Sequence, residues 1–191
     1  MTDADSPQPG ADPVSLPRST PATADAGGEV LVRRARPADV RRIKELVDAY
    51  AGPILLEKSL ANLYEDVTEF WVGELDGRVV GCGALHVLWE DLAEIRTVAT
   101  DPAFRGRGIG NTVCSRIIEV ALEMGLRRLF CLTFEVSFFS SLDFVPVAEL
   151  DLTPEAFNEL RHSYDAGVAE FLDLPYVKPN TLGNTRMLRH L

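Results

Sequence analysis

Histidine and cysteine are both scarce in this chain, three of each in 191 residues, and the scarcity removes whole classes of chemistry. Cys82, Cys114 and Cys131 form no C-x-x-C pair and stand at no Cys/His ligand spacing, so neither a zinc site nor a disulfide scaffold is expected. Each lies in an apolar stretch and reads as an inert core thiol. A nucleophilic thiol wants a cationic neighbourhood, and no histidine is near any of the three in sequence. His162 and His190 lack partners at metal spacing, and His86, in an apolar strand, reads as a satisfied core histidine. No metal is expected. Also missing is an apolar run near the ~18 residues that a membrane span needs. The acidic N-terminus lacks the basic patch and apolar stretch of a secretory signal, so a cytoplasmic protein with no membrane partner is expected. Positive charge is in the minority, 19 Lys and Arg against 29 Asp and Glu, for a net charge of −10. That balance excludes the broad basic footprint of a nucleic-acid binder. It leaves room for one anionic ligand in a local basic pocket, and arginines cluster at 105–107 and 127–128.

The composition is otherwise that of a globular domain, 46% hydrophobic and 25% charged. Residues 1–28 are the exception: Pro, Ala, Asp, Ser, Thr and Gly dominate, too little apolar surface to offset the entropy of ordering, so a disordered tail is expected. Residues 29–191 form one domain in this reading. Val30–Ala35 reads as a strand, and Pro37 opens a helix carrying Val40, Ile43, Leu46, Val47 and Tyr50 at helical spacing. A second short helix falls at 59–67. Strands follow at 70–75 and 78–88, joined by the turn signal Asp76-Gly77, and then at 92–99. A long helix with the apolar stripe Val113, Ile117, Val120, Ala121 and Met124 ends at Gly125. A strand at 129–132, a helix at 136–142 and a strand at 144–148 come next. A helix capped by Thr153 with Pro154 at its first position and a closing strand at 185–190 complete the order. Antiparallel hairpins followed by a βαβ crossover indicate an α/β fold with a mixed sheet and helices on both faces.

The glycine-rich stretch Arg105-Gly106-Arg107-Gly108-Ile109-Gly110 follows a strand and opens the long helix. The first N–H groups of a helix are unpaired and carry the positive end of its dipole, which suits a phosphate group. Glycines let the backbone come close to a pyrophosphate, and Arg105 and Arg107 add charge. A plain loop before a helix is the bland alternative. The Rossmann fingerprint needs G-x-G-x-x-G at the first βα turn, and a P-loop needs G-x-x-x-x-G-K-[ST]; neither pattern is present.

R-x-x-G-x-G after a strand, preceded by Thr97-Val98-Ala99-Thr100-Asp101-Pro102-Ala103-Phe104, resembles the acetyl-CoA-binding motif of GNAT N-acetyltransferases, whose element order the chain shares over about residues 30–191. A narrower resemblance lies in Ile54-Leu55-Leu56-Glu57-Lys58-Ser59, Glu94-Ile95-Arg96-Thr97-Val98-Ala99, Leu129-Phe130-Cys131-Leu132-Thr133 and the segments from Leu152 to Glu155 and from Thr185 to Leu188. These are similar to the acetyltransferase domain of N-acetylglutamate synthases of arginine biosynthesis, in a short form without the amino-acid-kinase-like domain.

The resemblance implies the GNAT acyl-CoA N-acyltransferase fold, acetyl-CoA as co-substrate and a small amino acid as acceptor, L-glutamate or L-glutamine. A homodimer is consistent with the fold. Val98, Ala99 and the loop residues Arg105, Gly106, Arg107, Gly108, Ile109 and Gly110 would hold the cofactor. Glu94 would be the base that frees the α-amine, and a backbone N–H near Val98 would hold the oxyanion. The acid stays open: the tyrosine that many relatives carry is replaced by Phe138 and Phe139, leaving Ser137, Tyr164 or water. Lys58 and Arg96, the latter on one strand face with Glu94 by the period-two rule, would meet the α-carboxylate. Thr97, Lys178, Asn184 and Thr185 complete the acceptor site. An arginine of the synthases is replaced by Gly183, so that either Lys178 compensates for its charge or the neutral amide of glutamine is accepted. A different amine or peptide acceptor, or an acyl-CoA-binding regulator without turnover, are the competing readings.

Overall fold

The computed structural model describes residues 28–52, 55–163, 172 and 183–191. The tail expected at 1–28 lies, but for Gly28, outside the described residues, as do Tyr164 and Lys178. The strands are β1 (Leu31–Arg34), β2 (Phe70–Leu75), β3 (Arg78–Trp89), β4 (Leu92–Thr100), β5 (Arg128–Thr133), β6 (Val145–Pro146) and β7 (Thr185–His190). The helices are α1 (Val40–Asp48), α2 (Leu60–Glu65), α3 (Ile109–Glu123), α4 (Val136–Ser140) and α5 (Pro154–Leu160), with one-turn 3-10 helices at Pro37–Asp39, Val67–Glu69 and Pro102–Phe104. Local signals start the helices: Ser59 accepts the Asn62 N–H at 3.1 Å and Thr153 accepts the Ala156 N–H at 3.1 Å, each satisfying a first-turn donor.

The seven strands form one sheet in the order β1-β2-β3-β4-β5-β7-β6. Every neighbouring pair is antiparallel except β4 and β5, which α3 connects as a crossover. One face packs α3 and α4 on Leu85, Ile95, Leu129, Cys131 and Met187. The other packs α1 and α2 on Phe70, Val72, Cys82 and Ala84, and α5 through Leu160 on Leu88, Leu92, Phe130 and Leu188. This is the mixed sheet with helices on both faces that the pattern of elements predicts.

Two details differ from the pattern. Met124, expected on the buried stripe of α3, is the C-cap and is 55% exposed, while Cys114 and Ile118 are buried instead. The strand expected at 144–148 shrinks to Val145–Pro146, because proline cannot donate to the ladder and is confined to an edge. Phe144 leaves that edge and packs edge-on against Phe139 at 5.4 Å.

The depth at which α3 sits is set by glycine. A Cβ on Gly81 would stand 2.6 Å from Ile109 Cγ2, and one on Gly73 or Gly83 would be 3.0 Å from Val113 or Ile117. Ile109 is buried and β-branched, with little rotamer freedom to yield. Gly81→Val is therefore expected to cost on the order of 2 kcal/mol of stability by overpacking. That corresponds to a Tm about 4–8 °C lower for a domain of this size, read by thermal melting followed by circular dichroism.

Candidate active site

The site begins with an irregularity in β4. Against β3, Ala84 faces Arg96 and Cys82 faces Ala99, so β4 spends one residue more than its partner over this stretch. Thr97 absorbs the extra residue at φ 56°, a left-handed conformation rare for a β-branched side chain. The bulge inverts the alternation beyond it. Glu94 and Arg96 share the α1/α2 face; past the bulge Val98 packs with the α3-side core and Ala99 with the α1/α2 core. Strain held at one point in a sheet marks a functional position more often than a random one.

The second irregularity is a gap. The β4–β5 ladder runs only from Leu92↔Arg128 to Glu94↔Phe130, although both strands continue beyond it. Parallel strands that stop pairing leave a V-shaped opening with backbone groups along its arms. Thr97 and Val98 have no register partner on β3, and β5 has already parted from β4 at that height, so the Val98 amide borders the opening.

At the wide end of the opening lies the glycine-rich loop. Gly106 and Gly108 both adopt positive φ, 79° and 75°, and Gly108 is the N-cap of α3. Within 105–111, only the amides of Arg105 and Arg107 bond back to described carbonyls, those of Pro102 and Phe104. The first-turn amides of α3 are directed outward, the arrangement that receives an anionic group. Asp101 braces the loop from behind. Its carboxylate accepts the Ala103 N–H at 2.9 Å and pairs with Arg42 from α1 and Arg78 from β3. The Ala103 amide, followed by Arg42, holds that carboxyl below the usual range despite its burial.

A cavity of about 380 Å³ joins these features. Ile95–Thr100 form one wall, the loop and start of α3 a second, and Leu132–Glu135 with Phe138 and Phe139 a third. It passes through the sheet, since Tyr50 and Arg96 belong to one face and Phe138 and Phe139 to the other. Of the residues expected to hold the cofactor, Val98, Ala99, Arg105, Gly106, Gly108, Ile109 and Gly110 line it. Arg107 does not; its guanidinium lies 5.4 Å from the centre of the Phe104 ring. Tyr50, read from sequence as core, also lines the cavity and donates its hydroxyl to Thr100 O at 2.7 Å.

Glu94 sits just below the cavity, 5% exposed, at the last rung of the β4–β5 ladder. Arg96 and Thr97 line the cavity itself. Arg96 Nη2 is 3.0 Å from Glu69 Oε2 and 3.6 Å from Asp66 Oδ2, and Lys58 Nζ lies 3.3 Å from the same Asp66 oxygen. The fold thus links Lys58 to Arg96 through one carboxylate. Burial pushes the Glu69 carboxyl up, but His86 and Arg96 outweigh it and hold it below the usual range. Ser137 is exposed on α4, outside the cavity wall. Thr185 pairs with Thr133 beside the β5 end of the cavity, with Asn184 before it; neither lines it.

The three cysteines are buried, and burial pushes the thiols of Cys82 and Cys114 up to about 12 and that of Cys131 higher still. A thiol so far from ionising is a poor nucleophile, which favours direct transfer over a covalent route. Among the described residues no group of His, Cys, Asp and Glu is placed to hold a metal, and no helix is long and apolar enough to cross a membrane.

Residues 40–144 match the model of the Acetyltransferase (GNAT) family. The chain belongs to the GNAT family. A Mycobacterium tuberculosis amino-acid acetyltransferase is 60% identical to this GNAT protein over 161 residues, 83% of this chain and 92% of that one. A solved M. tuberculosis structure in complex with CoA and NLQ superposes with a TM-score of 0.81 at 60% identity, covering 84% of this chain and 99% of that one. N-acetylglutamate synthase from Neisseria gonorrhoeae, complexed with coenzyme A and N-acetyl-glutamate, aligns with a TM-score of 0.67 at 25% identity. That match covers 86% of this chain and 35% of the longer synthase. Acetyl-CoA is the co-substrate of a GNAT member, and the outward amides and left-handed glycines beside the opening between β4 and β5 have the chemistry that suits a pyrophosphate.

Proposed function

We propose that this protein transfers the acetyl group of acetyl-CoA to the α-amine of L-glutamate or L-glutamine, the first step of arginine biosynthesis. The observation that carries this reading is the cavity crossing the sheet. It connects the anion-binding loop on one side to Arg96, and through Asp66 to Lys58, on the other. The names and ligands of the M. tuberculosis and N. gonorrhoeae proteins support an amino-acid acceptor.

In this reading the cofactor enters along the cavity, its pyrophosphate on the amides of Gly106, Gly108, Ile109 and Gly110. Arg105 lies beside them, and Arg107 adds charge from outside the wall. Val98 and Ala99 flank the acyl arm. The acceptor's carboxylate meets Arg96 and Lys58, with Thr97 beside the reacting carbon, and Lys178, Asn184 and Thr185 attend its side chain. Glu94 frees the amine. Because Glu94 lies beneath the cavity instead of lining it, the proton passes through an intervening water. The amine attacks the thioester carbonyl, the oxyanion is met by the Val98 N–H, and the collapse breaks the C–S bond as the nitrogen sheds its extra proton, which the departing thiolate takes up through water. No protein acid is required for that last step. A thiolate is far less basic than an amide or alkoxide ion and is a competent leaving group near neutrality, and Ser137 faces solvent. Tyr50 has already committed its proton to Thr100 O.

The experiment is release of free coenzyme A from acetyl-CoA by the purified protein over a panel of amino acids and polyamines, with product masses measured. Turnover on glutamate and glutamine above the rest is the expected result. Turnover on polyamines alone, or cofactor binding without turnover, overturns the reading.

A further inference from the structure

The loop at 105–110 does little to hold its own shape. Among the described residues only Arg105 and Arg107 turn their amides back onto it, to the carbonyls of Pro102 and Phe104. An anion site needs the remaining amides free and already aimed, because a loop that must order itself on binding loses affinity to that ordering. Its shape has to be imposed from outside. The side chain placed to do so is Asp101, 7% exposed and next in sequence to the end of β4.

The two oxygens of that carboxylate have different partners. Oδ1 accepts the Ala103 N–H at 2.9 Å and so caps the 3-10 helix Pro102–Phe104, which leads into the loop. Oδ2 accepts from Arg78 Nη2 at 3.0 Å and from Arg42 Nη2. Arg42 is itself fixed: its Nε donates to Val79 O at 3.0 Å and its Nη1 to Glu45 Oε2 at 2.7 Å. The main chain repeats the tie to β3, with the Asp101 N–H on Val80 O at 2.8 Å. Contacts therefore run unbroken from α1 and β3, through one buried carboxylate, to an amide two residues ahead of Arg105. Arg42 belongs to α1, on the sheet face opposite α3, and neither it nor Asp101 lines the cavity.

We propose that Asp101, oriented by Arg42, is a positioning residue for acetyl-CoA. It holds the segment 102–108 in the shape that presents the amides of Gly106, Gly108, Ile109 and Gly110 to the pyrophosphate, so that an arginine outside the cavity sets cofactor affinity. The inference rests on the placement of the pyrophosphate on this loop, and not on which amine is the acceptor. An ion-pair cluster that only stabilised the fold has a different signature. Its loss lowers the melting temperature and the amount of folded enzyme, and leaves the KM of the folded molecules unchanged.

The test measures kcat, KM for acetyl-CoA, KM for the acceptor and, by calorimetry, the Kd of coenzyme A. Wild type is compared with Asp101→Asn, Arg42→Gln and the two combined. Asparagine keeps the shape and an oxygen for the Ala103 N–H, and loses the charge by which the arginines orient it. Asp101→Asn is expected to raise KM for acetyl-CoA and the Kd roughly five- to twentyfold, part of what hydrogen bonds to charged groups contribute. Arg42→Gln raises both roughly three- to tenfold. In each variant kcat and the acceptor's KM stay within about twofold of wild type, because only ground-state binding of the cofactor is lost. The double variant is no worse than Asp101→Asn alone, since both substitutions cut the same link. Arg42 is half-buried and tolerates glutamine, so that variant decides if Asp101→Asn does not fold. Unchanged KM and Kd, a fall in kcat alone, an equal rise in both KM values, or additive effects overturn the inference. Gly108→Val tells this failure from that of the placement. If it weakens coenzyme A binding and the Asp101 and Arg42 variants do not, only the positioning role falls. If it too leaves Kd unchanged, the pyrophosphate is not on this loop and both fall. Should no amino acid be acetylated, the Kd values still decide.

Discussion

Glu94→Gln is expected to lower kcat by roughly 10² to 10⁴ at neutral pH, the range a positioned general base contributes. The substitution keeps the shape and hydrogen-bonding capacity of a side chain that is 5% exposed between β3 and β5. It removes only the ability to accept a proton. An α-amine is mostly protonated near pH 7, so without the carboxylate each turnover must wait for the small fraction that has lost its proton to solvent. The deficit should therefore shrink as pH rises towards the amine's own pKa, whereas a loss from misfolding would not. Affinity for coenzyme A, measured by calorimetry, should match wild type, because the loop at 105–110 is on another element. A variant that retains wild-type kcat would remove Glu94 from the chemistry and leave the amine to ionise unaided.

The parts of this site that sequence discloses are the local ones. A glycine-rich stretch between a strand and an apolar helix signals an anion site because both causes, left-handed backbone and unpaired first-turn amides, act within a few residues. Gly106 and Gly108 adopt the positive φ that such a loop demands. The pairing of Glu94 with Arg96 on one face also follows from period-two alternation, which holds as far as residue 96. It fails at Thr97. The bulge there is set by the register of β3 against β4, a non-local matter that no spacing in β4 discloses. Its consequence, Val98 and Ala99 exchanging faces, is invisible to a strand pattern. Tyr50 fits the helical stripe of core residues, and only the end-on meeting of α1 with β4 brings its hydroxyl to the cavity. The link through Asp66 and Glu69 is of the same kind. Partners 8 to 30 residues apart in sequence, Lys58, Asp66, Glu69, His86 and Arg96, meet only once α2 has packed on the sheet. The histidine that sequence reads as satisfied is indeed satisfied, by Glu69 at 2.8 Å.

Gly108→Val is expected to raise KM for acetyl-CoA by roughly five- to 150-fold, the equivalent of the roughly 1–3 kcal/mol that a β-branched residue pays in a left-handed conformation. Space is not the obstacle, for no described atom lies within 4 Å of a Cβ built at this position. The cost is conformational, arising from φ 75° at the N-cap of α3. Valine relieves that strain by turning its backbone towards the extended region, and the turn reorients the peptide groups from Gly108 to Gly110 on which the proposed function places the pyrophosphate. The damage is thus to ground-state binding of the cofactor, and kcat at saturating acetyl-CoA should stay within about threefold of wild type. Gly108→Asn provides the control. Asparagine visits the left-handed region with a smaller penalty, so its KM should fall between those of wild type and the valine variant. If asparagine proves as damaging as valine, side-chain bulk against the cofactor, not backbone conformation, sets the requirement for glycine. If neither variant alters KM, the first turn of α3 does not hold the pyrophosphate.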